Sequence, residues 1–151
     1  MSELRDLYQE VILDHNKSPR NFKKLETATH HADGHNPLCG DKITVFIEMA
    51  DGHVKNVSFV GSGCAISTAS ASLMTGALVG KSESEVRQLF EKMHALLTSS
   101  EEPEDATALG KLAVFSGVRE FPMRVKCATL AWHTLIAALD RKESNEPATT
   151  E

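Results

Sequence analysis

Aromatic side chains are scarce in this chain, with one Trp, one Tyr and six Phe in 151 residues. Small and aliphatic side chains must therefore fill most of any core, and the 41% hydrophobic share is enough for one of ordinary size. Long apolar runs are also lacking. The longest, between Ala128 and Leu139, is broken by Thr and His and falls short of the roughly 20 residues a spanning helix needs. Met1-Ser2-Glu3-Leu4-Arg5 is charged and leads into an amphipathic segment instead of an apolar signal core. These features lead us to expect a cytoplasmic protein with no membrane partner. Positive charge is not in excess either: the formal net charge is -5, and no basic stripe is present, so a nucleic-acid partner is not expected. Cysteines number only three, an odd and widely spaced set that argues against a disulfide framework and turns attention to reactive or metal-bound thiols.

The patterns that are present define a simple element order. Leu4, Leu7, Tyr8, Val11 and Ile12 fall on one stripe and predict a helix over residues 3–15, with Ser2 as its cap. Residues 20–41 read mainly as loop, with a short strand near 27–31. Ile43, Val45 and Ile47 alternate along a strand over 42–50, Asp51-Gly52 is a hairpin signal, and 54–60 is the returning strand. The turn Gly61-Ser62-Gly63-Cys64 leads into a helix over 65–79 packed with Ala, Ser, Thr and Gly and ended by Gly80. Ser82 and Glu85 form a capping box for an amphipathic helix through Leu97. An acidic loop at 101–105, a short helix ended by Gly117 and a final helix from about Met123 to Asp140 follow. Strands followed by a run of helices predict an α+β fold, a small antiparallel sheet of about three strands with helices packed on one face. Residues 1–141 are expected to form a single domain, and 142–151 a polar, disordered tail.

Each cysteine falls at a junction between predicted elements. Cys39 precedes the first long strand, and Asp41 two residues on would share its side of an extended backbone. Cys64 stands at the mouth of the small-residue helix, where unpaired N–H groups favour an anion, and Cys127 lies early in the last helix. The spacing matches no short zinc-finger or ribbon pattern. The residues by themselves leave three readings open: ordinary half-buried thiols, a shared metal site, or a nucleophilic Cys39 with His31 or His35 as base. His133, mid-helix on an apolar segment, reads as a core or interface histidine.

Taken together, the blocks Asn36-Pro37-Leu38-Cys39-Gly40-Asp41, Gly61-Ser62-Gly63-Cys64-Ala65-Ile66-Ser67 and Arg124-Val125-Lys126-Cys127-Ala128-Thr129-Leu130-Ala131-Trp132 resemble the three cysteine blocks of the IscU/NifU N-terminal iron–sulfur cluster assembly family. The stretch 15–22, with Ser18-Pro19-Arg20-Asn21, is similar to the segment after that family's first helix. Lys126 stands where scaffold members carry a His, only Pro122 and Arg124 fit their proline-rich stretch, and 99–119 looks like an insertion. These departures resemble the SufU branch. The resemblance implies zinc held by Cys39, Asp41, Cys64 and Cys127, with Cys39 as the catalytic sulfur acceptor in a zinc-dependent sulfurtransferase. It implies a SufS-like cysteine desulfurase as donor and downstream iron–sulfur assembly proteins as recipients. The alternative it carries is a scaffold that assembles a transient [2Fe–2S] cluster on the same cysteines. Three thiolates and one carboxylate around zinc leave a net charge of about -2, which Lys42, Arg124 and Lys126 are candidates to offset.

Overall fold

The computed structural model describes residues 2–37, 40–98, 112, 114, 115, 118, 121–140 and 148–149. The elements are α1 (Ser2–Lys17), β1 (His30–Asn36), β2 (Asp41–Ala50), β3 (His53–Ser62), α2 (Ala65–Leu78), α3 (Glu83–Thr98), α4 (Pro122–Leu139) and β4 (Ala148–Thr149). The sheet order is β3-β2-β1-β4, with β1, β2 and β3 antiparallel. The expected α+β architecture is present. Alternation along β2 turns Ile43, Val45 and Ile47 toward the helices, where they are buried with Val57 and Phe59 of β3. Helix α4 lies across β1 and β2, and α2 packs against β3, α1 and α4. Among the described residues, no helix is long and apolar enough to cross a membrane.

Local signals account for most boundaries. The capping box forms as the sequence requires: Ser82 N–H donates to Glu85 Oε1 at 3.0 Å, and Glu85 N–H donates to Ser82 Oγ at 3.2 Å. Asp51 and Gly52 make the tight β2–β3 turn. Small residues let α2 approach α4 closely. There Ser70 Oγ donates to the Ala128 carbonyl at 2.6 Å, and Trp132 Nε1 donates to Ser70 Oγ at 3.2 Å. Residues 15–22 are tied to the far side of α2. His15 Nδ1 pairs with Ser72 Oγ at 2.6 Å, Arg20 N–H donates to the same oxygen at 2.9 Å, and Asn21 Nδ2 donates to Thr75 Oγ1 at 2.9 Å.

Two segments depart from the sequence expectation. The short strand expected near 27–31 is displaced to His30–Asn36, within what reads as loop. Ala-Asp-Gly-His-Asn has little intrinsic strand preference, but seven residues in antiparallel register with β2 override it. Gly34 permits this pairing beneath α4. A Cβ there would collide with Thr134 Oγ1 and lie 3.2 Å from both Ile43 Cγ2 and Leu130 Cδ1. Within the segment expected to be a disordered tail, Ala148 and Thr149 instead pair in parallel with Gly34 and His35, because β1 offers an open edge of backbone donors and acceptors. The acidic loop at 101–105 lies outside the described residues. Of the stretch that resembles an insertion, Leu112, Val114, Phe115 and Val118 are buried in the common core.

His133 occupies the interface position expected of it, 5.5 Å from the Phe90 ring and 6.0 Å from that of His94. Burial holds its pKa below the usual 6.5, and the neighbouring His94 adds to this. The unfolded chain therefore binds the proton more readily. The contribution of His133 to stability is complete above its unfolded pKa and is lost as pH falls through that value toward the folded one. Chemical denaturation from about pH 7 to about pH 5 should show an acid-side loss that His133→Leu reduces. Gly34→Ala should cost about 1–3 kcal/mol in the same assay at neutral pH, through overpacking against α4.

Candidate metal centre

Asn36 ends β1 and Asp41 begins β2, directly opposite each other in register. Both lie on the helix-facing side of the sheet, and both are buried, with 0% and 1% exposure. This edge of the sheet meets the N-terminal ends of α2 and α4. Cys64 is the N-cap of α2, and Ser67 N–H donates to its Sγ at 3.5 Å. Cys127 is in the second turn of α4 and fully buried.

One carboxylate joins the sheet to α2. Asp41 Oδ1 accepts the Cys64 backbone N–H at 2.9 Å, and Oδ2 lies 3.9 Å from Cys64 Sγ. Gly63 makes room for this contact, since a Cβ on it would sit 2.8 Å from Asp41 Oδ1 and 3.1 Å from its Cγ. On the other side, Asn36 Nδ2 donates to Cys127 Sγ at 3.9 Å. The result is that one ligand atom each from Asp41, Cys64 and Cys127 lies within 4.8 Å of the other two.

Such a donor set fits zinc. Bond lengths of about 2.3 Å to sulfur and about 2.0 Å to oxygen place tetrahedral ligands roughly 3.5–3.8 Å apart. The 3.9 Å separation of Cys64 Sγ and Asp41 Oδ2 is close to that spacing. Two thiols and a carboxylate also suit iron–sulfur chemistry, so the donors narrow the metal without choosing one. Cys39, expected as the fourth ligand and the reactive thiol, lies outside the described residues, between Pro37 and Gly40 of the β1–β2 connection.

Other candidates fall away from this point. His31 and His35 alternate onto the sheet face opposite Asn36, and His31 stacks on Phe46 with ring centroids 6.3 Å apart. Lys42 and Arg124 are exposed and Lys126 is half-buried. Among the described residues, no ion pair joins any of the three to Asp41. Cys64 caps α2, so the positive end of that helix dipole is a source of compensating potential at the centre. Sequence reasoning did not single out Asn36, Gly63 or Ser70 as site residues. Asn36 and Gly63 lie inside the cysteine blocks, which was the available signal, whereas Ser70 is one small residue in a helix of many.

The NifU-like N terminal domain matches residues 7–128 of this sequence. The chain belongs to that family. It is 38% identical over 142 residues to the zinc-dependent sulfurtransferase SufU of Bacillus subtilis, covering 94% of this chain and 95% of that one. It is 35% identical over 151 residues to the iron–sulfur cluster assembly scaffold protein IscU of Streptococcus pyogenes serotype M1, covering 100% of this chain and 94% of the relative. The fold superimposes with a TM-score of 0.81 and 34% identity on a Fervidobacterium islandicum AW-1 protein described as an iron–sulfur cluster assembly scaffold for the SUF system, covering 86% and 94% of the two chains. These relatives carry both sulfurtransferase and scaffold names.

The contact between Gly63 and Asp41 gives a direct test of the centre. Gly63→Ala should displace the carboxylate and weaken zinc binding about 10–100-fold in competition with a chromophoric chelator. Gly76→Ala, in α2 with nothing within 4 Å of the added methyl, should leave zinc affinity unchanged.

Proposed function

We propose that this chain is a zinc-dependent sulfurtransferase that takes persulfide sulfur from a cysteine desulfurase in the cytoplasm and passes it to iron–sulfur cluster assembly. The single observation that supports it most is the convergence of Asp41, Cys64 and Cys127 beside the connection that contains Cys39. In this reading Asp41, Cys64, Cys127 and Cys39 are the zinc ligands, and Cys39 is the sulfur acceptor. Zinc, when bound, would keep these thiols in the thiolate form and fix the ends of the sheet and two helices together.

The transfer itself is a thiol–disulfide type of exchange. The Cys39 thiolate attacks the outer sulfur of the desulfurase persulfide, forming a new S–S bond. The S–S bond of the donor breaks, and its cysteine leaves as a thiolate. Asp41 and Cys64 are held by each other and by the start of α2, and Cys127 is buried on α4, whereas Cys39 belongs to a connection whose described residues, Pro37 and Gly40, are exposed. That contrast supports assigning acceptance to Cys39 and retention to the other three. The Bacillus subtilis relative, which is named a zinc-dependent sulfurtransferase, supports the same assignment. Lys126 adds to it, because an ammonium group has donors only and cannot replace an imidazole ligand.

A second reading has support from the scaffold name of the Streptococcus relative: assembly of a transient [2Fe–2S] cluster on the same cysteines. Anaerobic purification separates the two. A colourless protein with about one zinc per chain is the outcome for a sulfurtransferase, and a brown protein containing iron is the outcome for a scaffold. With a cognate desulfurase and labelled cysteine, Cys39→Ala should lower sulfur uptake to background, as should treating the unmodified protein with a zinc chelator. Uptake by Cys39→Ala at the unmodified rate would refute the acceptor assignment.

A further inference from the structure

Asn36 is held from both ends. Its backbone carbonyl accepts the Gly40 N–H at 2.8 Å, closing the connection in which Cys39 lies, and it faces Asp41 across the β1–β2 pair. Its side chain is fully buried, and the carboxamide Nδ2 donates to Cys127 Sγ at 3.9 Å. A buried carboxamide must place its donors somewhere, and here one is directed at a sulfur. Across the centre, Cys64 Sγ receives the Ser67 backbone N–H. Each of the two sulfurs held by a helix therefore accepts an N–H.

Hydrogen bonds to a thiolate draw electron density from the sulfur lone pairs and orient them, which lowers its reactivity toward an electrophilic sulfur. From this arrangement we infer that Asn36 is a positioning residue: by donating to Cys127 it keeps that sulfur a resident ligand and confines incoming sulfur to Cys39. The inference rests on the sulfur-acceptor reading above. The event it suppresses is attack of the Cys127 thiolate on the outer sulfur of a persulfide, which would form a persulfide on Cys127 and release the donor cysteine as a thiolate.

The test compares Asn36→Leu and Asn36→Asp with the unmodified full-length protein. Both substitutions keep the heavy-atom count and branching of the side chain, and Asn36→Leu, like ionised Asn36→Asp, removes the donor. Asn36→Asp is the closer isostere and keeps the test available should Asn36→Leu fail to fold. After exposure to a desulfurase and cysteine, mass spectrometry of blocked peptides reads the ratio of persulfide on Cys127 to that on Cys39. The ratio should rise about tenfold or more in both variants, and Asn36→Leu should lose zinc to a chelator about 10–100-fold faster. A purely space-filling role predicts persulfide on Cys39 alone in both variants, and that result overturns the inference. Failure of the unmodified protein to take up any sulfur overturns the sulfur-acceptor reading itself, and this inference with it.

Discussion

The hydrogen bond from the Cys64 backbone to the Asp41 carboxylate is the joint on which the candidate centre depends. It links the first residue of β2 to the cap of α2, and it exists because Gly63 has no Cβ to push the carboxylate away. A second joint, Ser70 to Ala128 with Trp132 donating to Ser70, fixes α2 against α4 behind the cysteines. A third, from Asn36 to Cys127, returns from α4 to the sheet. Sheet, α2 and α4 thus form a closed triangle of polar contacts around one point. Buried hydrogen bonds of this kind contribute only about 1 kcal/mol each, but leaving any one partner unsatisfied costs more than that, so the set holds a single geometry.

This triangle explains why α2 carries Ser70 and other small residues where it meets α4. Larger side chains would hold it away from α4, and no Ser70 to Ala128 contact could form. It also bears on the electrostatics. The sequence suggests Lys42, Arg124 and Lys126 as compensation for anionic ligands, yet none of them pairs with Asp41 among the described residues. The N-terminus of α2, capped by Cys64, supplies a fixed positive potential that needs no flexible cation.

How much of this was legible in the sequence depended on how local the cause was. The β2–β3 hairpin, the Ser82–Glu85 box, the small-residue helix and α4 follow from nearest-neighbour chemistry, and the structure has them. β1 was only partly legible, because His30–Asn36 becomes a strand through pairing with β2 and cover from α4. β4 was not legible, since a polar segment of two residues gains its extended form only from the edge it meets. At the centre, Asp41, Cys64 and Cys127 were named from their blocks. Their convergence could not be read from spacing, because it is made by tertiary contacts. The role of Asn36 was hidden for the same reason: only the fold brings residues so distant in sequence together.

The margins of the sheet have a consequence for recognition. One outer strand is met at Phe59 by Phe22 and at His53 by Ser82, and the opposite one at Gly34 and His35 by Ala148 and Thr149. Strand addition by another polypeptide, a common way for proteins to bind extended segments, would have to displace chain already seated at those four positions.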